Sequence, residues 1–144
     1  GMKTLNRLEQ VLATDEWQRA GAAHGLALHE GLLSSSSGSL VSGTCSNIFW
    51  RSGAQLFTPQ LDRCGVAGVM RAEVLRAAAS SGLAWREDRI TRGQLETADE
   101  LFLTNSIIGV WPVRILATRS YTIGQATHTI QKTIEAAQCF APAA

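Results

Sequence analysis

The sequence predicts a single domain of mixed α and β structure. Three observations carry this: an amphipathic helical period near the start, short apolar runs set off by Gly, Ser and Pro, and a glycine loop that runs straight into a second helical segment. The chain has 144 residues, a length typical of one domain. Apolar residues make up 45% of it, ordinary for a globular protein with its own core.

Apolar side chains at Leu5, Leu8, Val11, Leu12 and Trp17 follow helical spacing, which predicts a helix from Leu5 to Arg19 stopped by Gly21. Gly31 to Leu33 and Ser39 to Val41 read as short strands, with Ser34 to Gly38 as the hairpin turn between them. Asn47 to Arg51 and Gln55 to Thr58 form a second pair around Ser52-Gly53, ended by Pro59. The glycine loop Cys64 to Gly68 leads into a helix from Val69 to Ser81, with Val69, Met70, Val74, Leu75 and Ala78 on one face and Gly82 as its cap. A strand from Leu83 to Ile90, a short helix from Thr91 to Ala98 and a strand from Glu100 to Thr104 follow. After a turn from Asn105 to Gly109 comes a last strand, Val110 to Leu116, interrupted by Pro112, and Ile123 to Cys139 closes the chain as an amphipathic helix.

Composition narrows the function classes. There are 13 Lys+Arg and 12 Asp+Glu, a net charge of +1, so no strong field favours nucleic acid or a membrane surface. No apolar run approaches the roughly 18 residues of a membrane span. Lys3 to Gln10 is too polar for a signal peptide. Cys45, Cys64 and Cys139 are odd in number and widely spaced, which reads as reduced thiols in a cytoplasmic protein and not as a disulfide framework or a metal site. His24, His29 and His128 are scattered and take no ligand role.

Taken singly, the candidate chemistry is weak. A lysine near an N-terminus is ordinarily a solvated charge. A glycine loop before a helix is ordinarily a turn, although free N–H groups and the positive end of the helix dipole suit a phosphate there. Asn105 to Gly109 sits just past a strand, where polar loop residues often carry function, but an ordinary strand exit looks the same.

Together, four blocks resemble the aminodeoxychorismate lyases, within the fold-type IV pyridoxal-phosphate enzymes that also include the D-amino-acid and branched-chain aminotransferases. The blocks are Lys3 to Gln10, Leu40 to Phe49, Leu61 to Arg71 and Ala98 to Ser106 with Gly109 and Pro112-Val113, in family order. The resemblance implies the D-amino-acid aminotransferase-like fold, large C-terminal domain, over residues 1–144, without the smaller N-terminal domain. It implies pyridoxal 5'-phosphate as cofactor and Lys3 as the catalytic lysine that condenses with the cofactor's aldehyde, desolvated so that its amine is neutral. Gly68, the Val69 and Met70 N–H groups, the Ser106 hydroxyl and the Ile107 N–H would bind the phosphate. Asn105 would face the substrate. Ser42 stands beneath the ring, where the aminotransferases carry a glutamate on the pyridine nitrogen. Glu30 is the nearest carboxylate in sequence, with no reason to reach the ring.

The implied reaction is conversion of 4-amino-4-deoxychorismate to p-aminobenzoate and pyruvate, in folate biosynthesis. The shorter hydroxyl of Ser42 mildly favours such an elimination over transamination. The alternatives are an aminotransferase of the same fold, for branched-chain or D-amino acids, and a non-catalytic fragment. The implied partners are a small-molecule substrate, a second copy in a homodimer, and a separate or cleaved N-terminal segment.

Overall fold

The structure, a computed structural model, describes residues 7–139. Its centre is a five-stranded sheet in the order β5-β4-β3-β6-β7. The strands are β3 (Asn47–Ser52), β4 (Gln55–Pro59), β5 (Trp85–Asp88), β6 (Glu100–Asn105) and β7 (Gly109–Pro112). A separate ribbon pairs β1 (Leu32–Ser34) with β2 (Leu40–Gly43). The helices are α1 (Leu8–His24), α2 (Val69–Ser80), α3 (Arg92–Leu95) and α4 (Gln125–Cys139).

Both faces of the sheet are covered, so its central strands are apolar without alternation. Ile48, Phe49 and Trp50 on β3 and Leu101, Phe102 and Leu103 on β6 are all buried. Alternation sorts them by face. Phe49 and Phe102 stack at 5.1 Å and pack with Leu56 under Val74, Ala77 and Ala78 of α2 and Ile130 of α4. Ile48, Trp50, Leu101 and Leu103 meet Leu40, Ile90, Leu95, Ala98 and Tyr121 on the other face. All sheet neighbours are antiparallel except β4 and β5. A parallel neighbour needs a crossover, and α2 supplies it.

Three expectations are corrected. The first helix runs through Gly21 and ends at Gly25, which takes the left-handed conformation at φ 62°. Gly21 is a packing glycine instead: a Cβ there would lie 2.9 Å from the Leu26 carbonyl. Leu8, Val11 and Leu12 on this helix are exposed. The strand expected over Leu83 to Ile90 is only Trp85–Asp88, and the one over Val110 to Leu116 breaks after Pro112. Ile115–Leu116 (β8) then folds back on Arg119–Ser120 (β9), a hairpin with Ala117 at φ 53°.

The register decides where a site can form. Asn47, at the start of β3, stands opposite Thr104, near the end of β6. The β2–β3 turn, the entry to α2 and the β6–β7 turn therefore gather at one end of the sheet. Arg51 pairs with Glu100 at the other end.

Candidate active site

The entry to α2 is an open helix end. Gly68 is its N-cap in extended conformation, with no side-chain cap and no acidic residue in the first turn. The first N–H groups of a helix lack intrahelical acceptors. The Gly68 N–H goes to Asn47 Oδ1 at 3.2 Å. The next two, of Val69 and Met70, have no acceptor among the described residues. Val69 itself is 71% exposed.

The β6–β7 turn lies beside it. Asn105 Oδ1 accepts from the Ile107 and Ile108 N–H groups, each at 2.9 Å, and Asn105 Nδ2 donates to the Cys45 carbonyl at 3.2 Å. Thr104 Oγ1 closes the turn on the Gly109 carbonyl at 2.8 Å. Ser106 is exposed, and Ile107 at 93% is the tip.

The β2–β3 turn joins the two. Glu30 sits behind it and accepts bonds from the Gly31 N–H at 3.1 Å, the Thr44 N–H at 3.0 Å, the Cys45 N–H at 3.3 Å and the Ser46 hydroxyl at 2.9 Å, with a further short bond from the Thr44 hydroxyl. Such a set suits a carboxylate and ties a glycine-containing turn to one shape. A Cβ on Gly43 would collide with the Ser46 hydroxyl and approach the Glu30 carboxylate. An open cleft of about 460 Å³ lies between the turn and α1, lined by Arg7, Gln10, Val11, Thr14, Asp15, Gln18 and Cys45.

Of the residues expected from the sequence, Gly68, Val69, Met70, Asn105, Ser106 and Ile107 come together at this end of the sheet. Lys3 lies outside the described residues. Ser42 is half-buried on β2, and its hydroxyl donates to the Gly43 carbonyl at 2.8 Å. Two roles meet a geometry the sequence did not anticipate: both ends of the Asn105 amide are engaged within the protein, and the Ile107 N–H is already given to Asn105. Asn105 thus braces the turn. Its carboxamide is not turned free toward a substrate.

Two residues were missed. Glu30 is the only acidic residue between Glu16 and Asp62, and a lone acid followed by the hydroxyls of Thr44 and Ser46 was a usable signal. Asn47, buried at the head of an apolar strand, was another. Cys45 and Cys64 are exposed free thiols. Among the described residues no group of His, Cys, Asp or Glu is placed to hold a metal ion, and no helix is long and apolar enough to cross a membrane.

The donor set at this end fits a phosphate: two N–H groups at a helix N-terminus without an acceptor among the described residues, a hydroxyl on the adjacent turn, and no acid in the helix's first turn.

The amino-transferase class IV family model matches residues 1–116. The aminodeoxychorismate lyase of Vibrio harveyi is 34% identical over 135 residues, which is 91% of this chain and 48% of that protein. The crystal structure of 4-amino-4-deoxychorismate lyase from Pseudomonas aeruginosa is 43% identical with a TM-score of 0.84, over 94% of this chain and 48% of that one. The branched-chain aminotransferase of the thermophilic archaeon Thermoproteus uzoniensis, crystallised with norvaline, is 28% identical with a TM-score of 0.80, over 90% of this chain and 41% of that one. The chain thus spans about half the length of the lyases it matches.

Proposed function

This chain belongs to the class IV aminotransferase family, and on that premise we propose that it is the pyridoxal-phosphate-binding half of a lyase that converts 4-amino-4-deoxychorismate to p-aminobenzoate and pyruvate, a step of folate biosynthesis. The observation that carries the reading is the open N-terminus of α2, where among the described residues the Val69 and Met70 N–H groups have no acceptor and no acid stands in the first turn.

The Val69 and Met70 N–H groups and the Ser106 hydroxyl hold the phosphate, and Gly68 gives the helix end without a side chain in front of it. Asn105 braces the turn that presents Ser106, taking the Ile107 N–H on its Oδ1. Bound there, the cofactor supplies an electron sink for the pair left at the amine-bearing carbon. Lys3 anchors the cofactor and moves the proton at that carbon. Ser42, half-buried on β2, would meet the ring nitrogen with a hydroxyl, where a carboxylate would hold a proton more firmly. This weaker support suits an elimination driven by formation of an aromatic ring. The 43% identity to the Pseudomonas aeruginosa lyase, against 28% to the Thermoproteus uzoniensis aminotransferase, supports the same choice.

Residues 1–144 act as one cofactor domain, in a cytoplasmic homodimer. Turnover requires the complementary half of the length that the lyases carry, because closure over the substrate excludes water and completes the contacts. The test is production of p-aminobenzoate and pyruvate from aminodeoxychorismate, by this chain alone and joined to that half. We expect little or no product from the first and clear product from the second. Transamination of a branched-chain or D-amino acid by the joined protein, without p-aminobenzoate, would identify an aminotransferase. No product of either kind would leave a non-catalytic cofactor binder.

A further inference from the structure

Asn47 is buried at the head of β3, and both ends of its amide engage a single loop. Its Oδ1 accepts the Gly68 N–H at 3.2 Å, and its Nδ2 donates to the Val66 carbonyl at 2.8 Å. These two bonds, one each way, grip the backbone on both sides of Ala67 and fix the direction in which the chain enters α2. Of the N–H groups at the helix end, Asn47 takes that of Gly68 and leaves those of Val69 and Met70. The fit is close from the other side as well, since a Cβ on Gly68 would run into Asn47 Oδ1.

Asn47 is also paired in register with Thr104, the neighbour of Asn105. Asn105 fixes the β6–β7 turn as Asn47 fixes the α2 entry, and its Nδ2 reaches across to the Cys45 carbonyl. Two asparagines on adjacent strands therefore each set one of the two loops that converge at this end of the sheet.

We infer that Asn47 is a positioning residue for phosphate recognition: it touches no phosphate itself but aims the Val69 and Met70 N–H groups at one. The inference rests on the reading of the α2 end given above. A residue that merely holds the fold would weaken every ligand alike. A residue that aims phosphate donors would weaken only ligands that carry a phosphate.

The experiment compares pyridoxal 5'-phosphate with pyridoxal, which lacks the phosphate, by spectrophotometric titration of the full 144-residue chain. Wild type should prefer the phosphorylated form. Asn47→Ala should lose at least about tenfold of that preference, with pyridoxal affinity unchanged. Asn47→Ser, whose side chain is too short to span both bonds, should do likewise, so it decides the matter if Asn47→Ala does not fold. A preference kept in the folded variant, or a proportional loss of affinity for both ligands, would overturn the role of Asn47 while leaving the phosphate reading intact. A wild-type chain with no preference for the phosphorylated form would overturn the reading and the inference with it.

Discussion

α2 and α4 lean on the same sheet, yet their N-termini are treated in opposite ways. The first turn of α4 receives a buried carboxylate from the protein itself: Glu100, 1% exposed, accepts the Thr127 N–H at 3.0 Å, the Thr127 hydroxyl at 2.9 Å and the Ala126 N–H at 3.3 Å. Arg51 completes the set at 2.5 Å. A Cβ on Gly124 would strike the same carboxylate, so even the approach to the helix is cut to fit it. The first turn of α2 follows a glycine, holds no acid, and keeps the Val69 and Met70 N–H groups without an acceptor among the described residues. Helix ends attract anions in proportion to the donors they leave unsatisfied. One end has its anion built in and is structural. The other is held rigid by Asn47 but left unfilled, which is what a binding end requires.

The largest effect should come from emptying the filled end. Glu100→Ala leaves Arg51 without its buried partner and strands two backbone donors, so it should cost about 3 kcal/mol of stability. Urea unfolding measures this, and the folded variant should keep its preference for pyridoxal phosphate over pyridoxal. Loss of that preference would mean that the two ends are coupled and that the contrast is false.

The complementary change fills the open end. Val69→Glu places a carboxylate in the first turn of α2, where it should stabilise the helix by about 0.5 kcal/mol and weaken pyridoxal phosphate about tenfold by occupying the phosphate's place. Opposite signs in unfolding and in ligand titration are the signature. Equal cofactor affinity in the variant and in wild type would place the phosphate elsewhere.

A smaller effect is carried by protons. Burial pushes the Glu100 carboxyl up, but the bonds from Thr127 and Ala126 and the Arg51 guanidinium outweigh it and hold its pKa below the ordinary glutamate value. A carboxyl lowered in the folded state contributes stability that is present above its unfolded pKa and lost as the pH falls through the folded one. Stability measured by urea unfolding should therefore be insensitive to this group near neutrality and drop in the acid range, with a shallower drop in Glu100→Gln. Identical acid profiles for wild type and variant would remove Glu100 from the account.

How much of this could be read from the sequence differs between the two ends. The α2 end was legible because its signal is local: glycines, then helical spacing, with no acid in between. The helix runs Val69–Ser80, close to expectation. The α4 end was not. Asp99 and Glu100 are adjacent acids with nothing in the sequence to separate them, yet Asp99 is exposed and Glu100 is buried under a helix that begins 25 residues later, at Gln125. Gly21 reads as a stop, and the helical spacing of Leu8, Val11 and Leu12 does not tell that they are exposed, because spacing reports a periodic face but not what covers it. Glu30 and Asn47 escaped for the reason Glu100 did. Each works through partners in other segments, which only the strand register brings near.

If this chain binds pyridoxal phosphate at one defined place, its few lysines report that place directly. The sequence has only two lysines, Lys3 and Lys132. Lys132 lies on α4, the helix whose N-terminus is filled by Glu100. Borohydride reduction of the chain in the presence of pyridoxal phosphate, followed by peptide mapping, reports which lysine carries the cofactor. Label confined to Lys3, and suppressed by Val69→Glu, is the result predicted. Label shared between Lys3 and Lys132, or indifferent to Val69→Glu, would contradict it.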